Sequence, residues 1–171
     1  AGGFGGGGVF ALAISPGTSP DAAALAGTSS GIYTSNDRGV HWYQGNNGLP
    51  RLSVRSLAVA PNDPRILLAG TRFFEHKHFN ANIPIEADGN LQLSKNGGQT
   101  WQVVIGLIDR VQQVAFSPDF ANDRRAFAIA GIVGQDGYAH GGIYRSFDGG
   151  VNWEAVVSHA PCSALALSPN F

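Results

Sequence analysis

All three tryptophans of this chain close the same eight-residue frame. Residues 35–42 read SNDRGVHW, 94–101 read SKNGGQTW and 146–153 read SFDGGVNW. The shared pattern is Ser-x-Asp/Asn-x-Gly-x-x-Trp. A turn motif recurring at roughly 50-residue spacing means a repeated supersecondary unit, in which each copy must bury its apolar face against the next.

Two further markers run in step with it. LAISP at 12–16, LAVAP at 57–61, VAFSP at 114–118 and LALSP at 165–169 each read as an apolar strand stopped by proline. AGT at 26–28, AGT at 69–71 and IAG at 129–131 follow as a second apolar strand. With alternation and β-branched residues as the guide, each unit carries four strands, A to D. They are expected at 9–15, 23–28, 31–35 and 41–44, then at 54–60, 65–71, 90–94 and 100–105, then at 111–117, 125–131, 142–146 and 152–157. A further strand A is expected at 162–168. Pro-Asn-Asp-Pro at 61–64 and Asn-Asn-Gly at 46–48 read as loops, and no stretch has an amphipathic helical period.

The expected fold is all-β: a β-propeller of four-stranded antiparallel blades, three blades plus the first strand of a fourth. Solenoid repeats are usually shorter, and a sandwich would not repeat its turn motif. Organisation follows: a Gly-rich leader at 1–8, blades at 9–53, 54–110 and 111–161, and the start of another at 162–171. Three blades do not close a ring, and their open edges would invite association. The expected partners are therefore remaining blades in the same or another chain, and the absence of any Met points to a processed or partial chain.

The repeated frame resembles the Asp-box, or BNR repeat, of sialidases, sortilin-type receptors and xyloglucan-degrading glycosidases. That resemblance covers 9–171 and implies the propeller fold, while saying little about function. In each box the Ser and Asp/Asn side chains are suited to bond nearby backbone and fix the C–D turn. The structural set is Ser35, Asp37, Gly39 and Trp42; Ser94, Asn96, Gly98 and Trp101; and Ser146, Asp148, Gly150 and Trp153. The glycines suit positive φ, and the tryptophans are expected to start strand D and bury against a neighbouring sheet. In the resembling enzymes the boxes lie opposite the catalytic face, so Asp37 and Asp148 read as structural.

Composition narrows the ligand. Eleven Lys and Arg against 12 Asp and Glu leave a net charge of −1, a poor match for nucleic acid. Only 13% of residues are charged, and 24 glycines are about twice the ordinary share, as in a turn-rich β protein. A single cysteine, Cys162, excludes an intramolecular disulfide. No apolar run is long enough to span a membrane. Gly2–Gly8 lacks the Lys-Ser/Thr of a phosphate loop. An extracellular or periplasmic setting is expected.

Loop lengths locate the working face. From Gly27, Gly70 and Gly131 to the following box serines at 35, 94 and 146 the spacing is 8, 24 and 15 residues, whereas the remaining part of each unit is nearly constant. The B–C connections of the second and third units therefore carry insertions, at 72–89 and 132–141. Both belong to the face opposite the boxes, side by side on consecutive blades. The first insertion holds Phe74, Glu75, His76, His78, Glu86 and Asp88; the second holds Asp136, Tyr138 and His140. Aromatic and hydrogen-bonding groups of that kind suit a protein or carbohydrate ligand. His76-x-His78 with Glu75 is too sparse a donor set to assign a metal, and no cofactor is expected.

Binding is therefore favoured over catalysis, with no catalytic residue assigned. The alternative is a glycoside hydrolase, sialidase-like or β-glucan-cleaving, working through two carboxylates among Glu86, Asp88, Asp109 and Asp136. The sialidase start motif Phe/Tyr-Arg-Ile-Pro has only Asn82-Ile83-Pro84 as a counterpart, without the arginine. The eight arginines within 51–145 form no sequence motif. His41 and His159 lack a Ser–Asp partner pattern.

Overall fold

A computed structural model describes residues 7–15, 23–72, 91–104, 110–133, 139–158 and 162–169. They form three four-stranded antiparallel sheets, each in simple up-and-down order. The first holds β1 (Val9–Ile14), β2 (Ala24–Thr28), β3 (Gly31–Ser35) and β4 (Tyr43–Gln44). The second holds β5 (Ser53–Ala60), β6 (Asp63–Arg72), β7 (Leu91–Ser94) and β8 (Gln102–Val103). The third holds β9 (Val111–Phe116), then the one-turn α1 (Phe120–Asp123), then β10 (Ala126–Val133), β11 (Ala139–Ser146) and β12 (Glu154–Ser158). The three sheets are consecutive blades of a partial β-propeller, with β1, β5 and β9 lying next to one another as the inner strands.

The middle sheet is covered on both faces, and its sequence says why. In the run Ile66-Leu67-Leu68-Ala69, alternate side chains leave β6 in opposite directions. Leu67 and Ala69 join Leu25, Ile32, Val54 and Trp101 in the core between the first two sheets. Ile66 and Leu68 join Leu91, Leu93, Val111, Val114 and Phe116 in the core between the second and third. From Ile66 to Thr71 strand β6 has no solvent face, so it reads there as a continuous apolar run rather than an alternating one. Blades approach closely at Gly70: a Cβ there would lie 2.9 Å from Val111 Cγ1.

Several expected boundaries differ from those observed. The outer strands β4 and β8 keep two residues each, because they pair only with the short ends of β3 and β7. Pro-Asn-Asp-Pro is not a loop throughout: β6 starts at Asp63, and Pro64 precedes the first β7 partner, Leu67, where its missing N–H costs no bond to that neighbour. The 132–141 insertion is partly ladder, since Ile132 pairs with His140 and Val133 with Ala139. Helix α1 is too short for any period to reveal. It is fixed by Ser117, whose Oγ accepts from Asp119 N at 3.1 Å and donates to Asp123 Oδ2 at 2.7 Å. Its Phe120 is buried edge-on against Phe116, with ring centroids 4.7 Å apart.

The expected strand at 162–168 is not a strand. A strand needs a ladder partner, and no second strand of that unit follows within these residues. The segment is nevertheless held, because Gln113 Nε2 donates to Leu165 O at 2.8 Å and Leu165 N donates to Gln113 Oε1 at 2.9 Å.

Candidate functional site

Two ends of the blades have different chemistry. At one end the boxes close the hairpins between β3 and β4, β7 and β8, and β11 and β12. In each, the serine hydroxyl sits at the centre of the turn. Ser35 Oγ donates to Asp37 Oδ1 at 2.8 Å and accepts from Gly39 N at 2.8 Å. Ser94 Oγ does the same with Asn96 Oδ1 at 3.0 Å and Gly98 N at 2.9 Å. Ser146 Oγ repeats it with Asp148 Oδ1 at 2.8 Å and Gly150 N at 2.9 Å. The asparagine of the second box keeps the turn because a neutral amide oxygen accepts from Thr100 N at 2.9 Å, as the carboxylates accept from His41 N and Asn152 N. The box glycines Gly39, Gly98 and Gly150 have φ of 89°, 84° and 94°, which a side chain would penalise.

These carboxylates are engaged in the turn. Backbone and side-chain hydrogen bonds from His41 bring Asp37 down to about 2. Asp148 is raised by desolvation, but bonds from Asn152, Ser146 and Val151 outweigh that and hold it at about 2. His41 Nδ1 lies 2.6 Å from Asp37 Oδ2, so this histidine serves its own turn.

The tryptophans are not equivalent. Trp101 is 3% exposed, and its Nε1 reaches into the preceding sheet to donate to Gly45 O at 3.0 Å. Trp42 and Trp153 are only partly covered, and each donates back to its own box, to Gly39 O at 3.1 Å and Gly150 O at 2.9 Å. Each precedes its strand D by one residue rather than starting it. Between the first two sheets this end opens a cleft of about 800 Å³, lined by Tyr43, Asn36, Asn47, Asn96, Gln99 and Arg65 among others. Its arginine is paired with Asp63 through bonds of 2.9 and 3.0 Å.

The opposite end is where β6 stops at Arg72 and β7 starts at Leu91, and where β10 stops and β11 starts. The strands flanking both insertions therefore meet this end, in neighbouring sheets. Phe74, Glu75, His76, His78, Glu86, Asp88, Asp136 and Tyr138 lie outside the described residues, as does the Glu75/His76/His78 metal reading. His140 lies in β11, opposite Ile132. Among the described residues this end holds a second cavity, of about 490 Å³, lined by Phe10, Arg55, Arg72, Arg110, Gln112 and Gly131 with Val111. The first sheet contributes Phe10, the second Arg55 and Arg72, and the third Gln112, with Arg110 just before β9. Desolvation lowers the Arg72 guanidinium, and the charges of Arg110 and Arg55 lower it further. The Arg55 guanidinium stacks 3.8 Å from the centroid of the Phe10 ring. Sequence reading missed this grouping, since the three arginines come from different strand ends. The available signal was that each stands near the start of a strand A or at the end of a strand B, and so at the same end of its unit.

Residues 144–155, the third box, match the family described as BNR/Asp-box repeat. Among curated proteins nothing matches. Solved structures with a similar fold include an ancestral GH74 enzyme at 22% identity and TM-score 0.64, covering 87% of this chain and 18% of that one. The GH74 xyloglucanase from Xanthomonas campestris matches at 20% identity and TM-score 0.62, covering 89% of this chain and 21% of that one. The GH74 enzyme from Niastella koreensis matches at 26% identity and TM-score 0.55, over 88% and 22%. The chain thus spans about a fifth of the length of these structures. It carries Asp-box repeats on blades with the fold of GH74 propellers. Among the described residues no helix is long and apolar enough to cross a membrane.

Proposed function

We propose that these blades form a non-catalytic binding segment of a larger β-propeller, with a carbohydrate ligand taken on the face opposite the Asp-boxes. The carrying observation is the cavity at that end, where side chains of all three sheets converge beside the inner strands. Its partial burial, an aromatic ring and an amide side chain are the usual ingredients of a saccharide subsite. A further blade packed on each open side completes the assembly: Leu12 and Ile14 on β1 are 62% and 68% exposed, and Val156 on β12 is 49% exposed. Such faces need cover in solution. An extracellular or periplasmic setting fits a polysaccharide ligand.

One observation favours a second reading. The similar solved structures are GH74 enzymes, one of them a xyloglucanase, so a glycoside hydrolase using carboxylates of the insertions is the alternative. Affinity electrophoresis of the intact protein in gels containing xyloglucan or a mixed-linkage β-glucan, run beside a reducing-sugar assay, separates the two. Retardation without new reducing ends supports the binding segment. New reducing ends support the hydrolase, and the absence of both would overturn the carbohydrate reading.

A further inference from the structure

We infer that the cleft of about 800 Å³ at the Asp-box end, between the first two sheets, is a second binding site, and that it takes an uncharged oligosaccharide. It lies at the other end of the blades from the ligand proposed above and does not rest on that reading. One wall of the cleft is fixed in advance. Residues 45–48, which follow β4, are fastened to the second sheet by the buried Trp101. Its Nε1 donates to Gly45 O at 3.0 Å, and its backbone N donates to Asn47 O at 2.9 Å. The same strap meets the second box closely, since a Cβ at Gly45 would lie 3.2 Å from Gly98 O. The cleft is therefore preformed, and a ligand need not order this wall to bind.

The lining selects a neutral ligand rich in hydroxyls. Arg65 is the charged side chain among the described lining residues, and its guanidinium is taken by Asp63 at 2.9 and 3.0 Å. The amides fall into two groups. Asn46 spends both ends of its side chain on the fold, on Ile32 N and Ser30 O, and Asn96 spends both on Thr100 and Ser94. Asn36, Asn47 and Gln99 are exposed, and among the described residues their side-chain amides make no hydrogen bond. Each offers two donors and an acceptor, which match the mixed donating and accepting of neighbouring sugar hydroxyls. Beside them the Tyr43 ring is 64% exposed on β4, an apolar face with a polar tip on which a pyranose ring can stack. Ser15 also lines the cleft. Its buried Oγ has no hydrogen-bond partner among the described residues, whereas its counterpart Ser117 has two. A ligand hydroxyl would satisfy it. The free amides would serve a peptide backbone as well, but the exposed ring and the unpaired hydroxyl favour the sugar.

The test is calorimetric titration of the intact protein with xyloglucan heptasaccharide, with cellotetraose, and with acetyl-tetraalanine amide as an uncharged peptide probe. We expect one of the oligosaccharides to bind, with an equivalent that Tyr43→Ala weakens by about tenfold or more and Gln99→Ala by about threefold or more. Both side chains are exposed, so circular dichroism should not change in either variant. Ser15→Ala should weaken the same equivalent without lowering Tm, whereas a hydroxyl serving only the fold would lower Tm and leave binding alone. Gln112→Ala, at the opposite end, should leave the equivalent in place. Binding that survives both Tyr43→Ala and Gln99→Ala, or that Gln112→Ala alone removes, would overturn the box-end site and leave the reading of the other face standing. Tighter binding of the peptide than of either oligosaccharide would overturn the saccharide assignment in favour of a protein partner. No binding of either oligosaccharide would overturn the inference, and gel retardation by the polysaccharides then decides the opposite face separately.

Discussion

The amide of Gln113 clasps the backbone of Leu165 on both sides, donating to its carbonyl at 2.8 Å and accepting from its N–H at 2.9 Å. One repeat earlier, Ser56 Oγ accepts from Val114 N at 2.9 Å. Ser56 and Gln113 hold the same place in their units, each just before the aligned apolar residue of LAVAP and VAFSP, and Val114 and Leu165 are likewise equivalent. A side chain on one inner strand therefore fixes the backbone of the next, and the fourth copy docks as the third does, before any ladder forms around it.

Gln113→Ala should accordingly loosen 162–168 without disturbing the three sheets. A lost pair of neutral hydrogen bonds is worth about 1–2 kcal/mol. Amide exchange at Leu165 should quicken by roughly tenfold in that variant, with β10 protection unchanged. Unaltered exchange at Leu165 would mean that other contacts hold the segment.

The three tryptophans should differ sharply in cost. Trp101→Ala removes a side chain 3% exposed together with its bond to Gly45 O in the neighbouring sheet, so about 3–5 kcal/mol should be lost. Trp42→Ala removes a partly exposed ring whose Nε1 donates within its own turn, to Gly39 O, and less than about 2 kcal/mol should follow. Denaturant unfolding of the two variants measures this. Equal losses would show that the turn bond, and not the inter-sheet packing, sets the value of the residue.

Much of the architecture was legible because the repeat is stated three times over. The strand order and the box turns follow from local patterns that every copy repeats. What escaped was of two kinds. Helix α1 is four residues long, below any period, and only the bonding of Ser117 explains it. The arginine cavity depends on bringing together strand ends from different units, and no local spacing links Arg55, Arg72 and Arg110. The strand expected at 162–168 failed for a third reason: apolar alternation specifies a face, whereas a strand also requires a partner.

Gln92 is an exception inside the repeat. It is fully buried in β7, and neither its Nε2 nor its Oε1 has a hydrogen-bond partner. The equivalent positions in the other sheets are Tyr33 and Tyr144. A buried unsatisfied amide costs about 1–3 kcal/mol, so Gln92→Leu, of similar volume, should stabilise the fold by about that amount. A rise in the denaturant midpoint checks it. A fall would mean that the amide is satisfied by water in solution.

Acid should act on the first and third boxes and spare the second. Asp37 and Asp148 are both held at about 2 in the fold, below the ordinary 3.8. A carboxyl whose folded value is depressed contributes stability that is fully present above its unfolded value and disappears as pH falls through the folded one. The contribution is therefore constant above about pH 4 and fades between there and about pH 2. Asn96 performs the same turn chemistry through Thr100 N without a titrating group. Thermal unfolding of the wild type and of the Asp37→Asn/Asp148→Asn double variant, followed from pH 6 to pH 2, isolates this term from all other carboxyls. The wild type should be the more stable above pH 4, and the two Tm curves should converge as pH approaches 2. Curves that stay parallel over the whole range would mean that the box carboxylates hold their turns by geometry alone, as the second box does with an amide.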